Sequence, residues 1–298
     1  MIAQKFPLLW LGSLVGRRLI PAIRQPTQTD SMTHPNSDID RRLSFAKTLA
    51  HEAGQLALSY FRSIGDLEVK SKGVQDMVSD ADLNVETFIR DKIADAFAED
   101  GIVGEEHGVV ESRSGFTWVI DPIDGTFNFV NGIPAWCVIL ACVQDDKTKI
   151  GVICEPNHGE LYWAAEGVGA HLNDAPIKVA QAKGLDEGNT GLGMNSRTPG
   201  HSVTRFVELL ADRGGLFYRN ASGGLMLAYV AAGRLIGYAE HHMNAWDCLA
   251  GQVLIAEAGG KIEQQSANAM LRDGGRVIAA GEAIFDELVA MADASFTA

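Results

Sequence analysis

Positive charge is what this 298-residue chain has least of: 25 Lys and Arg stand against 38 Asp and Glu, a formal net charge of -13. A nucleic-acid or anionic-membrane surface demands clustered basic side chains, so direct contact with either is excluded as the main activity. Cysteine is scarce as well. Cys137, Cys142, Cys154 and Cys248 have no C-x-x-C spacing and lie mostly in apolar runs. They read as reduced core residues of a cytoplasmic protein, although an even number leaves a disulfide open, and no Cys/His set has the spacing of a zinc site. The apolar stretch from Phe6 to Gly16 has about 11 residues where a membrane helix needs roughly 20, so no membrane span is expected. Repeats and low-complexity runs are missing too. What is present is a 46% hydrophobic composition, ample for the core of one large domain or two.

The first 37 residues differ from the rest. From Met1 to Ser31 there are four basic residues and one acidic, a net +3 that leaves the remaining chain at -16. The segment is expected to be a disordered leader or an extension upstream of a start at Met32; no small-residue cleavage pattern marks a signal peptide. Deleting residues 1–31 should leave turnover intact, and a large loss of turnover in that truncation would overturn the expectation.

From Asp38 onward the pattern is regular. Ile39, Leu43, Ala46, Ala50, Ala53, Ala57 and Tyr60 recur at three and four, which predicts a long amphipathic helix from Asp38 to Ser63. A short strand follows over Leu67 to Ser71, then a polar loop with Lys72, read as a solvated side chain. Ser79-Asp80-Ala81-Asp82 resembles a helix-start box ahead of a second helix with Val85, Phe88, Ile89, Ile93 and Phe97 on its apolar face. Strand signals then dominate: residues 116–121, 136–143, 150–154 and 160–165, joined by polar turns, predict an antiparallel meander. After a loop from Pro176 to Glu187, strands and helices alternate: strands at 190–194, 216–218, 235–240 and 276–280, helices at 201–213, 224–232, 245–258 and 283–291. The first half, 38–182, is thus predicted α+β, and the second, 183–298, α/β.

The stretch around which the chain is organised is W-V-I-D-P-I-D-G-T-F-N-F-V-N, Trp118 to Asn131. A buried strand is expected to stop at Asp121, where Pro122 blocks ladder pairing, leaving Asp121 and Asp124 three residues apart in a turn. Gly125 lets a backbone approach a ligand closely, and Thr126 opens a helix. Carboxylates and a helix start can hold a cation and a phosphate together; equally, Asp-Pro and Asp-Gly are common turn dipeptides.

Three ordered motifs separate those readings. Gly104-Glu105-Glu106, then Asp121-Pro122-Ile123-Asp124-Gly125-Thr126 with Asn128 and Phe129, then Trp246-Asp247-Cys248-Leu249-Ala250-Gly251 resemble the signature of the inositol monophosphatase family, the magnesium-dependent, lithium-sensitive phosphomonoesterases. The resemblance spans Asp38 to Met291. It implies a layered αβαβα sandwich of the sugar-phosphatase type, a homodimer, and two Mg2+ ions with a weaker third near Glu105. Hard cations take oxygen ligands, and two ions about 4 Å apart can clamp the attacking and leaving oxygens of a phosphoryl transfer. On the resemblance, Glu105, Asp121 and the carbonyl of Ile123 hold one ion, and Asp121, Asp124 and Asp247 the second. The nucleophile is a water held by Thr126, itself oriented by Asp82, while Glu105 supplies charge and takes the proton. Asp82 could instead simply cap its helix, and Asp247 could complement a helix dipole.

Substrate contacts follow the same resemblance. Gly125 and Thr126 N–H groups would cradle the phosphate. Ser222 and Gly223 match the sugar-facing loop, although the pair Gly223-Gly224 departs from its usual small residues. Glu240, seven residues before Asp247, matches the acceptor for inositol hydroxyls. Ile236 departs from the acidic residue common after Gly-Arg-x. Ile133-Pro134-Ala135-Trp136 is similar to histidinol-phosphate phosphatases. The reading is a phosphomonoesterase for inositol monophosphate or a similar small polyol phosphate. Histidinol-phosphate phosphatase, fructose bisphosphatase and phosphoadenosine-phosphate phosphatase are the enzymatic alternatives, and a partner of the transcription machinery the non-enzymatic one.

Overall fold

The outermost layer begins with an alanine-rich helix that comes unusually close to a sheet. In the computed structural model, which describes residues 38–66, 69–73 and 76–296, α1 (Asp38–Phe61) buries Ala46, Leu49, Ala50, Ala53 and Ala57. The expectations placed on the first 37 residues, on Leu67 and on the Lys72 side chain lie outside the described part. Small side chains let the α1 backbone press inward: a Cβ at Gly54 would sit 2.7 Å from Cys154 Sγ. A hairpin, β1 (Val69–Gly73) with β2 (Asp76–Ser79), leads into α2 (Asp80–Ala96).

A seven-stranded sheet follows. β3 (Gly101–Gly104) pairs parallel with β4 (Thr117–Asp124); a short α3 (Thr126–Val130) intervenes before β5 (Cys137–Gln144), and the meander runs on antiparallel through β6 (Lys147–Glu155), β7 (Glu160–Ala165), β8 (Gly169–Leu172) and β9 (Ala175–Pro176). The run C-V-I-L-A-C-V in β5 is continuous because both faces are covered. Val138, Leu140 and Cys142 join the α1/α2 core, whereas Cys137, Ile139, Ala141 and Val143 join the core on the other face. Each fully buried aliphatic chain of this kind contributes about 1.5–3 kcal/mol.

The second half supplies the other layers: β10 (Asn189–Leu192), α4 (Gly200–Ala211), β11 (Leu216–Tyr218), α5 (Gly223–Ala231), β12 (Gly237–Met243), α6 (Ala245–Glu257), β13 (Lys261–Ile262), α7 (Ala267–Asp273), β14 (Gly275–Ala280) and α8 (Phe285–Ser295). Its five strands order β11-β10-β12-β14-β13, parallel about β10 and antiparallel about β14. Tyr238, Val277 and Ala279 point to α5 and α6, while Leu192, Ala239, Ile278 and Ala280 point to α4 and α8. Helices α5 and α6 lie between the sheets and bury most of their side chains, which is why they read as largely hydrophobic. The result is the αβαβα sandwich the family resemblance implies, and the midpoint near residue 182 falls between the last strand of one sheet and the first of the other.

Some boundaries differ from the sequence reading. The strand carrying Asp121 does not stop at Pro122 but continues to Asp124. The meander is antiparallel from β4 onward, as expected, and β3, which was not among its predicted strands, adds to its edge in parallel. The two-residue strands β9 and β13 and the seven-residue α7 are too short to leave a periodic signal.

Candidate active site

Spacing alone would separate Asp121 from Asp124. Successive strand residues face opposite sides, so positions i and i+3 should diverge. The register resolves this: Asp121 lies opposite Ile139 and Asp124 opposite Cys137, so three steps on β4 match two on β5. The extra residue is a bulge at Pro122-Ile123, a place where a residue without an N–H fits. It returns both carboxylates to the face shared with α5 and α6. Ile123 N–H donates to Asp121 Oδ1 at 2.9 Å and holds the bulge shut.

Asp247 arrives on the first turn of α6. Its Oδ2 accepts from the backbone N–H of Asn244 at 3.1 Å and from Asn244 Nδ2 at 3.2 Å, a capping box at the helix start. It is also a member of a tight trio: ligand-capable oxygens of Asp121, Asp124 and Asp247 all lie within 4.8 Å of one another. Capping and clustering are therefore both real. Glu105 follows β3, and the parallel register, Gly104 opposite Ile120, sets it beside Asp121, with its N–H donating to Ile120 O at 3.2 Å. Buried Glu86 fixes the turn just after it, accepting from Glu106 N at 2.8 Å and His107 N at 3.2 Å. A Cβ at Gly104 would strike that Glu86 carboxylate, so the position tolerates only glycine without rearrangement.

The electrostatics of the trio call for a cation. Burial, then the charges of Glu105, Asp124 and Asp247, pushes the Asp121 carboxyl well above the ordinary range. Burial likewise raises Asp124, against opposing hydrogen bonds, and burial with Asp124 takes Asp247 to about 7. The neighbours acting most strongly on Asp121 are carboxylates, a donor set of hard oxygens that fits a divalent ion.

Asp124 is held hard on its other side. Ser222 Oγ donates to Oδ2 at 2.6 Å, Gly224 N–H to Oδ2 at 2.8 Å and Gly223 N–H to Oδ1 at 3.2 Å. Ser222, expected to meet substrate, is fully buried and its hydroxyl donates to Asp124. Gly223 is also drawn to Asp124 but lines the neighbouring cavity. The departure to Gly224 has a reason as well, since a Cβ there would collide with Ile139 and stand 3.1 Å from Asp124 Oδ2.

Thr126 Oγ1 lies 3.2 Å from Asp82 Oδ1 and 3.0 Å from the carbonyl of Ile123. Asp82 is fully buried, and its other oxygen accepts from Ser79 N at 2.9 Å and Ser79 Oγ at 2.6 Å, capping α2. One carboxylate thus does both jobs, one per oxygen. Gly125 adopts φ +93 ahead of α3, and a Cβ there would approach Ala135 O at 3.0 Å and Ser222 Cβ at 3.2 Å.

Beside the trio lies a cavity of about 140 Å³, lined among others by Asp124, Asp247, Glu240, Asn195 and Arg219. Glu240 is buried; Tyr238 Oη donates to its Oε2 and Asn195 Nδ2 to its Oε1 at 3.1 Å. Burial outweighs those bonds and pushes its carboxyl up to about 8. Glu86, Asn195, Arg219 and Tyr238 were not singled out from the sequence. Only the alternation along β12, which puts Tyr238 and Glu240 on one face, could have paired any of them.

Comparison with known proteins agrees with this geometry. The chain is 38% identical over 239 residues to the inositol-1-monophosphatase of Mesorhizobium japonicum, covering 79% of this chain and 90% of that one. It is 37% identical over 215 residues to a Nus factor SuhB of Xylella fastidiosa, covering 72% and 78%. The crystal structure of extragenic suppressor protein suhB from Bartonella henselae superposes with a TM-score of 0.79 at 30% identity, covering 85% of this chain and 98% of that one. The pattern of the inositol monophosphatase family matches residues 38–295, and the chain belongs to that family.

Proposed function

We propose that the protein is a Mg2+-dependent phosphomonoesterase acting on inositol monophosphate or a similar small polyol phosphate. The observation that carries this reading is the convergence of Asp121, Asp124 and Asp247 from β4 and α6 within 4.8 Å. Glu105, Asp121 and the Ile123 carbonyl would hold one ion, Asp121, Asp124 and Asp247 another, with a weaker third near Glu105. Bound there, the ions would lower the pKa of water and neutralise phosphate charge.

The chain's own groups do the rest. Asp82 accepts from the Thr126 hydroxyl, which leaves the Thr126 oxygen lone pairs to accept a hydrogen bond from a water and aim that water's oxygen at phosphorus. Glu105, beside Asp121, would receive the proton that this water loses. The start of α3 at Gly125 and Thr126 offers backbone N–H groups to the phosphate oxygens. Glu240, braced by Tyr238 and Asn195, presents an acceptor to polyol hydroxyls across the cavity, a better match to a sugar alcohol than to a flat base.

Asp82→Asn should lower kcat about 10- to 100-fold with little change in KM, because its loss disorders the attacking water and not the substrate. An unchanged kcat, or a change in KM alone, would remove Asp82 from the mechanism. Phosphate release from inositol monophosphate, histidinol phosphate, fructose 1,6-bisphosphate and phosphoadenosine phosphate tests the substrate class. The reading expects inositol monophosphate to give the highest kcat/KM, and a preference for phosphoadenosine phosphate or histidinol phosphate would contradict it. Lithium inhibition, a homodimer and a cytoplasmic location belong to the same proposal. Among the described residues no helix is long and apolar enough to cross a membrane.

A further inference from the structure

The loop between β10 and α4 sends two side chains toward the site from one short segment. Asn195 Nδ2 donates to Glu240 Oε1 at 3.1 Å and to His242 O at 2.5 Å. Arg197 reaches the other way: its Nη1 donates to Asn244 Oδ1 at 2.7 Å and lies 3.1 Å from His242 Nδ1, while His242 Nε2 lies 3.0 Å from Asp273 O. A guanidinium can only donate. His242 Nδ1 must therefore accept, and its Nε2–H must donate to the Asp273 carbonyl, a tautomer assigned from these contacts.

The same reasoning fixes Asn244. With its oxygen held by Arg197, its amide nitrogen faces Asp247, 3.2 Å from Oδ2; rotated by half a turn, the side chain would press its oxygen against a carboxylate. We infer that Arg197 is a positioning residue for the metal centre: by holding the Asn244 amide in one orientation it fixes Asp247 Oδ2 and leaves the remaining lone pairs of that carboxyl to the cluster with Asp121 and Asp124. This inference rests on the metal reading above. Two effects of Arg197 oppose each other. Its charge disfavours a bound cation, but the side chain is exposed and screened by salt. Losing a hydrogen bond that orients a ligand typically lowers metal affinity 10- to 100-fold, so positioning outweighs repulsion.

The test is Mn2+ binding to the substrate-free protein, followed by electron paramagnetic resonance, with thermal melts in chelator alongside. The proteins are the wild type, Arg197→Met, Asn244→Ser and the double variant; Ser retains helix capping but cannot bridge Arg197 to Asp247. Each single variant is expected to bind Mn2+ about 10-fold more weakly, and the double variant no more weakly than the worse single. Arg197→Met should melt in chelator as the wild type does and regain kcat when the metal concentration is raised. Wild-type Mn2+ affinity in Arg197→Met, multiplying effects in the double variant, or a lowered chelator melting point with unchanged affinity would each overturn the inference alone. Failure of the wild type to bind Mn2+ would overturn the metal reading and this inference together.

Discussion

Asp121→Asn lowers kcat by at least about a thousandfold while leaving the cation-free protein at least as stable as the wild type. The rate effect corresponds to about 4 kcal/mol of lost transition-state stabilisation. It follows from the surroundings of Asp121, whose charge meets those of Glu105, Asp124 and Asp247 and which, on the proposed reading, would be shared by both ions. Stability behaves differently because an amide oxygen can still accept from Ile123 N–H and keep the bulge closed. Removing one acid from a buried cluster also relieves repulsion, since burial and three neighbouring carboxylates already oppose the Asp121 charge. The stabilisation conferred by added Mg2+, about 2.7 kcal/mol at one hundred times Kd in the wild type, should largely vanish in the variant. Phosphate release and melting curves with and without chelator check both halves. Near-normal turnover, or a large fall in the chelator melting point, would contradict the assignment.

In chelator, the wild type loses stability as pH rises from about 4 to about 8. Asp247 is lifted from an ordinary 3.8 to about 7 and Glu240 from 4.5 to about 8, in each case first by burial. Asp121, Asp124 and Asp82 are raised as well. Below the ordinary values both the folded and the unfolded chain are protonated, and the folded state keeps its full advantage. Between the ordinary and the raised values the unfolded chain has released its protons while the folded site still holds them, so each such group costs about 1.4 kcal/mol per pH unit. The cost saturates once pH passes the folded values near 7 and 8. Coupling within the cluster reduces the sum, and a net loss on the order of 3 kcal/mol between pH 5 and 8 is expected, roughly 5–10 °C in melting temperature. Divalent cation reverses the trend, because ligands must be deprotonated to bind it and its stabilising effect therefore grows with pH. A melting point in chelator that is flat from pH 5 to 8, with a metal-induced shift independent of pH, would contradict a buried carboxylate cluster.

How far the chain could be read from its letters varied with the distance over which each signal acts. The α1 stripe and the uninterrupted β5 run are local patterns that packing on one or two faces imposes, and they were legible. Asp121, Asp124 and Asp247 were legible as a set because three ordered motifs marked them. The bulge that brings the first two to one face was not, since Pro122 argues for a strand end and only the pairing with β5 shows the extra residue. The bond from Ser222 to Asp124 was not legible for a related reason: a hydroxyl ahead of a helix looks the same whether it meets a ligand or a buried carboxylate 98 residues earlier. Glu86, Asn195 and Arg197 reach the site through contacts across 20 or more residues, and nothing near them in sequence announces it. Both contacts of Asp82 were legible, because Ser79 marks the cap and Thr126 the motif, but that one carboxylate makes both at once required the two oxygens to be seen apart.

The most direct measurement is anomalous diffraction from crystals of the full chain grown with Mn2+. The account predicts peaks at coordination distance from carboxylate oxygens of Asp121, Asp124 and Asp247 together, lost from crystals of Asp121→Asn. Well-ordered carboxylates with no peak between them, or a peak of equal height in the Asp121→Asn crystals, would contradict it.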